Sequence, residues 1–148
     1  IKCSAEVELA LREAAKKNLI SYIPGESSFK ILKNLDEKQK QGLDFINTFL
    51  TKFKTTGVQE ILNKAVFDIL DYIAVFPGGV SKLADKDGNI LPDCFLLKNN
   101  STALEFAATV HTDLAKKFIK AMDVRTKKAV GKEHKLKHRD IIEIITSK

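Results

Sequence analysis

Ile73-Ala74-Val75-Phe76, closed by Pro77-Gly78-Gly79, is the stretch where the hydrophobic period changes, and with it the class of fold. Before it, apolar residues recur at three- and four-residue intervals, the spacing that lines one face of a helix. Within it they run without interruption, and Pro followed by two Gly ends the run as it ends a strand. The chain therefore reads as α+β: a helical segment over residues 1–72, then a strand-rich domain over residues 73–148.

Working back from Ile73, one helix is expected to carry Val58, Ile61, Leu62, Ala65, Ile69 and Leu70, with Val66 and Phe67 widening a face broad enough to be well buried. Thr56 and Gln59, three residues apart, suit a capping box at its start. Thr55-Thr56-Gly57 ends a preceding helix, whose stripe is Leu43, Ile46, Phe49, Leu50 and Phe53 and which opens on a further box, Asp36 with Gln39. Pro24-Gly25 and Ser27-Ser28 mark a loop, and residues 29–32 a short extended or irregular piece. Ser4 stands as N-cap of the first helix. Glu6 and Glu8 suit its positive end, Val7, Ala10, Leu11, Ala14 and Ala15 form its buried face, and Lys16-Lys17-Asn18 stops it.

Working forward, a turn is expected at Asp87-Gly88-Asn89, a strand at Cys94-Phe95-Leu96-Leu97, and a helix capped by Ser101 or Thr102 that bears Ala103, Leu104, Phe106, Ala107 and Val110. Strands at residues 118–124, 129–130 and 141–145 follow, the first two joined by a turn at Arg125-Thr126-Lys127-Lys128. Strand, strand, helix, strand, strand, strand is the order of a small half-barrel around one helix. Periodicity defines these elements; it does not define how they pair.

The composition, 148 residues with 44% hydrophobic and 30% charged, is that of a globular chain and excludes wholesale disorder and fibrous repeats. Cys3 and Cys94 are too few for a disulfide framework and point to a reducing compartment, hence a cytoplasmic location. No apolar run approaches the roughly 18 residues of a membrane span, so no membrane partner is expected. The chain starts at Ile1 and its sole Met is Met122, which suggests a piece of a longer polypeptide.

Motifs for catalysis and metal binding are weak. Asp85-Lys86-Asp87-Gly88-Asn89 opens like a calcium loop, but Leu96 occupies the position that should be a bidentate carboxylate, and a hairpin turn is the simpler reading. The same Asp85-x-x-Gly88 could sense a γ-phosphate only beside a phosphate-cradling loop, and no G-x-x-x-x-G-K-[ST] occurs. Asn63-Lys64 lacks the following Asp that would read guanine, since Val66 stands there. His134 and His138 would share a face if helical, yet no further ligand accompanies them, so no metal is expected. Cys94, among Phe95 and Leu96, reads as an inert strand thiol.

The strongest signal is charge. Residues 1–72 are nearly neutral at +1 and residues 73–148 carry +5. Lys116, Lys117, Lys120, Arg125, Lys127, Lys128, Lys132, Lys135, Lys137 and Arg139 face only Asp123 and Glu133, a net +8 over 24 residues against +6 for the whole chain. Such a run is either a solvated surface or a phosphate-contacting face for RNA, which gains from counterion release. Few aromatics interleave with it, which favours recognition of shape and backbone over base stacking.

Asp85-Lys-Asp-Gly-Asn-Ile-Leu-Pro92, Ser101-Thr-Ala, Val110-His-Thr-Asp-Leu114, Asp123-Val-Arg-Thr-Lys-Lys128 and Asp140-Ile-Ile-Glu-Ile-Ile145 resemble a TGS domain, the ubiquitin-like β-grasp module of threonyl-tRNA synthetases, stringent-response enzymes and certain GTPases. Cys3-Ser-Ala-Glu6, Leu9-Ala-Leu-Arg12, Tyr22-Ile-Pro-Gly25, Glu37-Lys-Gln39 and Thr56-Gly-Val-Gln-Glu60 resemble Obg-related, YchF-type GTP-binding proteins, particularly their archaeal branch. The resemblance implies a preceding P-loop domain, of which the helical segment holds the tail, and a parent that hydrolyses GTP or ATP with Mg²⁺, while this stretch alone is neither an enzyme nor a cofactor binder. It implies too that Ser4, Ala5 and Glu6 are the remnant guanine loop, with the amide near Ala5 facing the base. In two places the pattern is broken: Ala115 and Arg139 stand where glycine is usual, and either could alter a turn that needs positive φ.

The expected function is therefore that of the C-terminal part of such a protein, its β-grasp domain engaging RNA or the ribosome through the basic residues, with no DNA specificity. The alternative is a protein-interaction module that docks on the parent's GTPase domain or on another protein.

Overall fold

A computed structural model describes residues 1–81, 83–84, 88–91 and 93–147, which form two compact units, Ile1–Val66 and Phe67–Lys148. Of the turn expected at Asp87-Gly88-Asn89, Asp87 lies outside the described residues, and Ala84 and Ile90 on either side form an antiparallel bridge.

The first unit begins with α1 (Ala5–Lys16), followed by the two-residue strands β1 (Ile20–Ser21) and β2 (Lys30–Ile31), α2 (Glu37–Phe53) and α3 (Val58–Asn63). Ser4 Oγ accepts from the Val7 amide at 3.4 Å, and the Asp36/Gln39 box is complete, so the two long helices start where their caps predict. Val7 and Leu11 of α1 meet Leu43, Ile46 and Leu50 of α2 over Ile20. Burial of each of these side chains is worth about 1.5–3 kcal/mol.

Two expectations fail here. Phe53 stays 40% exposed, outside the core that the rest of its stripe builds. The helix after Gly57 is α only as far as Asn63, continues as a π-helical segment Lys64–Ile69, and buries no residue; Leu62, Ile69 and Leu70 are more than half exposed. Widening the turn to π geometry breaks the 3.6-residue register on which the predicted face depended.

The second unit is a five-stranded sheet with α4 (Ala103–Val110) on one face. Its strands are β3 (Tyr72–Pro77), β4 (Phe95–Lys98), β5 (Phe118–Asp123), β6 (Lys128–Val130) and β7 (Asp140–Thr146), in the order β4-β3-β7-β5-β6. β3 and β7 run parallel at the centre and every other pair is antiparallel, the β-grasp arrangement. Ile73 and Val75 point at fully buried Phe106, joined by Leu97, Ala121 and Ile142. Thr102, not Ser101, caps α4 through a complete box with Glu105. A short helix, α5 (Thr112–Lys116), capped by His111, was not anticipated as an element.

The two departures from glycine have different outcomes. Ala115 lies within α5 and needs no positive φ. Arg139 adopts φ 67°, so a side chain stands in a backbone conformation suited to glycine.

Candidate nucleic-acid interface

In the first unit, Ser4, Ala5 and Glu6, expected from the family resemblance to be a guanine-loop remnant, lie at the start of α1. Ala5 opens α1, where an amide has no acceptor within the helix, and both Ala5 and Glu6 are exposed. The Ser4 amide donates to the Thr56 carbonyl at 2.8 Å, tying this loop to the one before α3. Thr56 is not the cap of α3, as its spacing from Gln59 suggested; left-handed Gly57 is, without a side-chain cap. The Thr56 hydroxyl instead donates to Glu8 Oε2 at 2.7 Å, and Tyr22 Oη and Arg12 Nε donate to the same carboxylate at 2.9 and 2.8 Å. Burial would raise the Glu8 pKa, but the donors from Thr56, Arg12 and Tyr22 outweigh it and hold the carboxyl below its usual range. Burial and the same carboxylate raise the Tyr22 pKa. Next to Ser4 a cavity of about 380 Å³ is lined by Ile1, Cys3, Phe49, Phe53 and Glu60.

In the second unit, all ten basic candidates are exposed, and the topology divides them. β5 separates Lys116 and Lys117 from Arg125, Lys127 and Lys128 by its six residues, about 20 Å. Lys120, opposite Ile145, lies nearer the Lys116 end. The remaining residues gather at the other end of the sheet. Arg125 Nη2 donates to the Arg139 carbonyl at 2.8 Å, and the Arg139 amide donates to the Ala74 carbonyl at 2.7 Å. The carbonyls of Lys132 and His134 accept from the Leu104 and Ala103 amides, and Lys135 bridges to Thr102, so this loop caps the start of α4. Seven cations, Arg125, Lys127, Lys128, Lys132, Lys135, Lys137 and Arg139, thus share one end, which β4 supplements with Lys98.

Of the ten, only Lys116 has an acidic partner within ion-pair distance among the described residues, Asp113 at 3.7 Å. Asp123, two residues before Arg125, is occupied. Its carboxylate would rise in pKa from burial, but it is lowered by donors from the Thr126 hydroxyl and the Arg125 and Thr126 amides, which it uses to shape the turn.

The histidines have structural roles. His134 and His138 lie in an irregular loop, not on one helix, and among the described residues no group of three or more His, Cys, Asp or Glu gathers to hold a metal. His138 Nδ1 accepts from the Ala74 amide at 3.2 Å and its ring packs edge-on to Phe67 at 4.6 Å. Cys94 is free and exposed just before β4, and partial burial of its thiol raises the pKa, opposite to the lowered pKa of a nucleophilic cysteine. No described helix is long and apolar enough to cross a membrane.

Sequence reasoning missed the contribution of β3 and β4 to this end of the sheet. Tyr72, Lys98 and Asn99 are remote in sequence from the basic run, and no local signal marked them.

A helical unit followed by a β-grasp sheet is the architecture expected from the sequence motifs, and comparison with known proteins agrees. Residues 1–79 match the family described as Obg-like GTPase YGR210-like, G4 motif-containing domain, and residues 83–146 match the TGS domain. The chain is 46% identical, over 99% of its length, to an uncharacterized GTP-binding protein of Methanocaldococcus jannaschii, of which it spans 38%. A crystal structure of a GTP binding protein from Pyrococcus horikoshii superposes with TM-score 0.60 at 39% identity, covering 98% of this chain and 36% of the other. The YchF GTPase of Schizosaccharomyces pombe, at TM-score 0.49 and 16% identity over 76% of this chain and 30% of its own, is too loose a match to weigh. The chain belongs to the YGR210-like branch of the Obg-like GTPases. It corresponds to the C-terminal part of such a GTP-binding protein and ends in a TGS domain.

Proposed function

We propose that the TGS unit engages RNA, free or in the ribosome, through the basic end of its sheet, as the C-terminal arm of a parent that binds and hydrolyses GTP or ATP with Mg²⁺ in a domain outside this chain. The observation that carries this reading is the seven exposed cations gathered at one end of the sheet, none of which forms an ion pair with an acid among the described residues. Uncompensated cations gain from displacing counterions on a polyanion. Salt titration of RNA binding tests it: on single strands, log affinity should fall against log salt with a slope of about −0.7 per phosphate neutralised. No RNA affinity at low salt would remove it.

A second reading, docking on the parent's GTPase domain or another protein, is favoured by the exposed apolar run Ile61, Leu62, Ile69 and Leu70. A protein complex that survives high salt would support it, since apolar contacts are not screened.

A further inference from the structure

We propose that the basic end of the sheet contains a pocket for one unpaired nucleotide of an RNA strand, its base against aromatic side chains and its phosphate on lysines. The inference rests on the RNA reading above and goes beyond it, because the sequence favoured recognition of shape and backbone over base stacking. A cavity of about 420 Å³ opens where the starts of β3 and β7 meet the end of β4, lined by Phe67, Tyr72, Asn99, Lys135, Lys137 and His138. That size lies within the roughly 300–1,000 Å³ of small-ligand sites.

Each component has a chemical use. Tyr72 and Phe67 are half-buried, so their rings are fixed while part of each surface stays accessible. Lys98 Nζ lies 5.9 Å from the centre of the Tyr72 ring, and Lys135 and Lys137 line the same cavity, placing cations around an aromatic platform. Stacking on such a platform tolerates any base, and only an unpaired base exposes a face to it. Because His138 Nδ1 accepts from Ala74, the neutral ring carries its proton on Nε2 as a donor.

Asp71 also lines the cavity, a carboxylate that would repel a phosphate placed beside it. Asn99 Nδ2 donates to its Oδ1 at 3.2 Å, and Asn99 Oδ1 accepts from the Asn100 amide at 2.9 Å, so the pair is held in place. The second Asp71 oxygen takes no donor among the described residues and is free for an amino or imino hydrogen of a base edge. The carboxylate therefore assigns an orientation, base toward Asp71 and phosphate toward the lysines.

The test uses the chain with a single-stranded RNA oligomer carrying 2-aminopurine, and with an RNA duplex of equal length. Stacking quenches the probe on binding, Tyr72→Leu weakens single-strand affinity about tenfold with the salt slope unchanged, and Tyr72→Phe retains it. Equal affinity for the duplex, or an unquenched probe on the wild-type chain, overturns the pocket, and the quenching result stands even if the leucine variant fails to fold. Salt-dependent binding that a folded Tyr72→Leu leaves intact overturns the pocket while sparing the RNA reading. No binding by the wild type overturns both. Competition by adenosine monophosphate at micromolar concentration would make this a free-nucleotide site and overturn the assignment to a strand.

Discussion

The Thr56 hydroxyl donates to the Glu8 carboxylate at 2.7 Å across 48 residues of chain, with both side chains buried. This contact joins the first helix to the loop before α3, and the Ser4 amide bonded to the Thr56 carbonyl extends the junction to the start of α1. Arg12 and Tyr22 complete the carboxylate's partners, so a charge buried in the first unit is fully hydrogen-bonded.

Thr56→Val keeps the shape and removes one donor to a buried charge, and should destabilise the first unit by about 1.5–3 kcal/mol. Thr56→Ser should recover most of that. Thermal melting of the three proteins at neutral pH checks the order.

The same carboxylate makes stability depend on pH. Its folded pKa lies below the unfolded value, so its contribution is fully present above the ordinary carboxylate range and is lost as pH falls through the lowered folded pKa. Acid unfolding of the wild type should therefore be steeper than that of Thr56→Val, whose Glu8 pKa lies closer to the unfolded value. Parallel urea titrations at neutral and acid pH measure the difference.

Gly57→Ala should be among the most damaging single changes in the first unit. Gly57 has φ 78°, and an added Cβ would run into the Lys2 carbonyl. Positive φ and a backbone collision together cost at least about 2 kcal/mol. Loss of cooperative melting in the first unit, or a fall in its midpoint, is the expected result.

Arg139→Gly and Ala115→Gly should have opposite effects. Arg139 occupies φ 67°, so glycine relieves a cost of about 1–2 kcal/mol against an entropy loss of about 0.5–1 kcal/mol, for a net gain near 0.5–1 kcal/mol. Ala115 is helical, so glycine there should cost about 0.5–1 kcal/mol. Denaturant midpoints of the two variants decide it.

Lys127→Glu with Lys128→Glu should weaken RNA binding uniformly across sequences and make the salt slope shallower by about 1.4, from two lost phosphate contacts. Unchanged affinity would show that the turn of β5 and β6 does not face the nucleic acid.

Much of the fold was legible because the cues are local. Ser4, Asp36 and Thr102 start helices through hydrogen bonds to amides three residues on, and no distant partner is needed. Gln59 obeys the same spacing rule from Thr56 and misleads, because Glu8 captures the Thr56 hydroxyl first. The apolar residues of the segment after Gly57 have helical spacing too, but a π-helical turn shifts their register and none becomes core. Of the candidate interface, the sequence displays the cations and not their grouping.

The amino-acid sequence by itself determined the α+β class, the caps at Ser4 and Asp36, the strands of the five-stranded sheet and the excess of positive charge, since all of these follow from residues a few positions apart. Only the tertiary structure decided which charges stand together. Parallel pairing of β3 with β7, and antiparallel pairing of β4 with β3, bring Tyr72, Lys98 and Asn99 beside Lys135, Lys137 and His138, while the length of β5 sends Lys116 and Lys117 to the other end. Pairing between distant strands is set by the shared burial of Ile73, Val75, Leu97, Ala121 and Ile142 against Phe106, a cooperative property of the whole core that no local pattern contains.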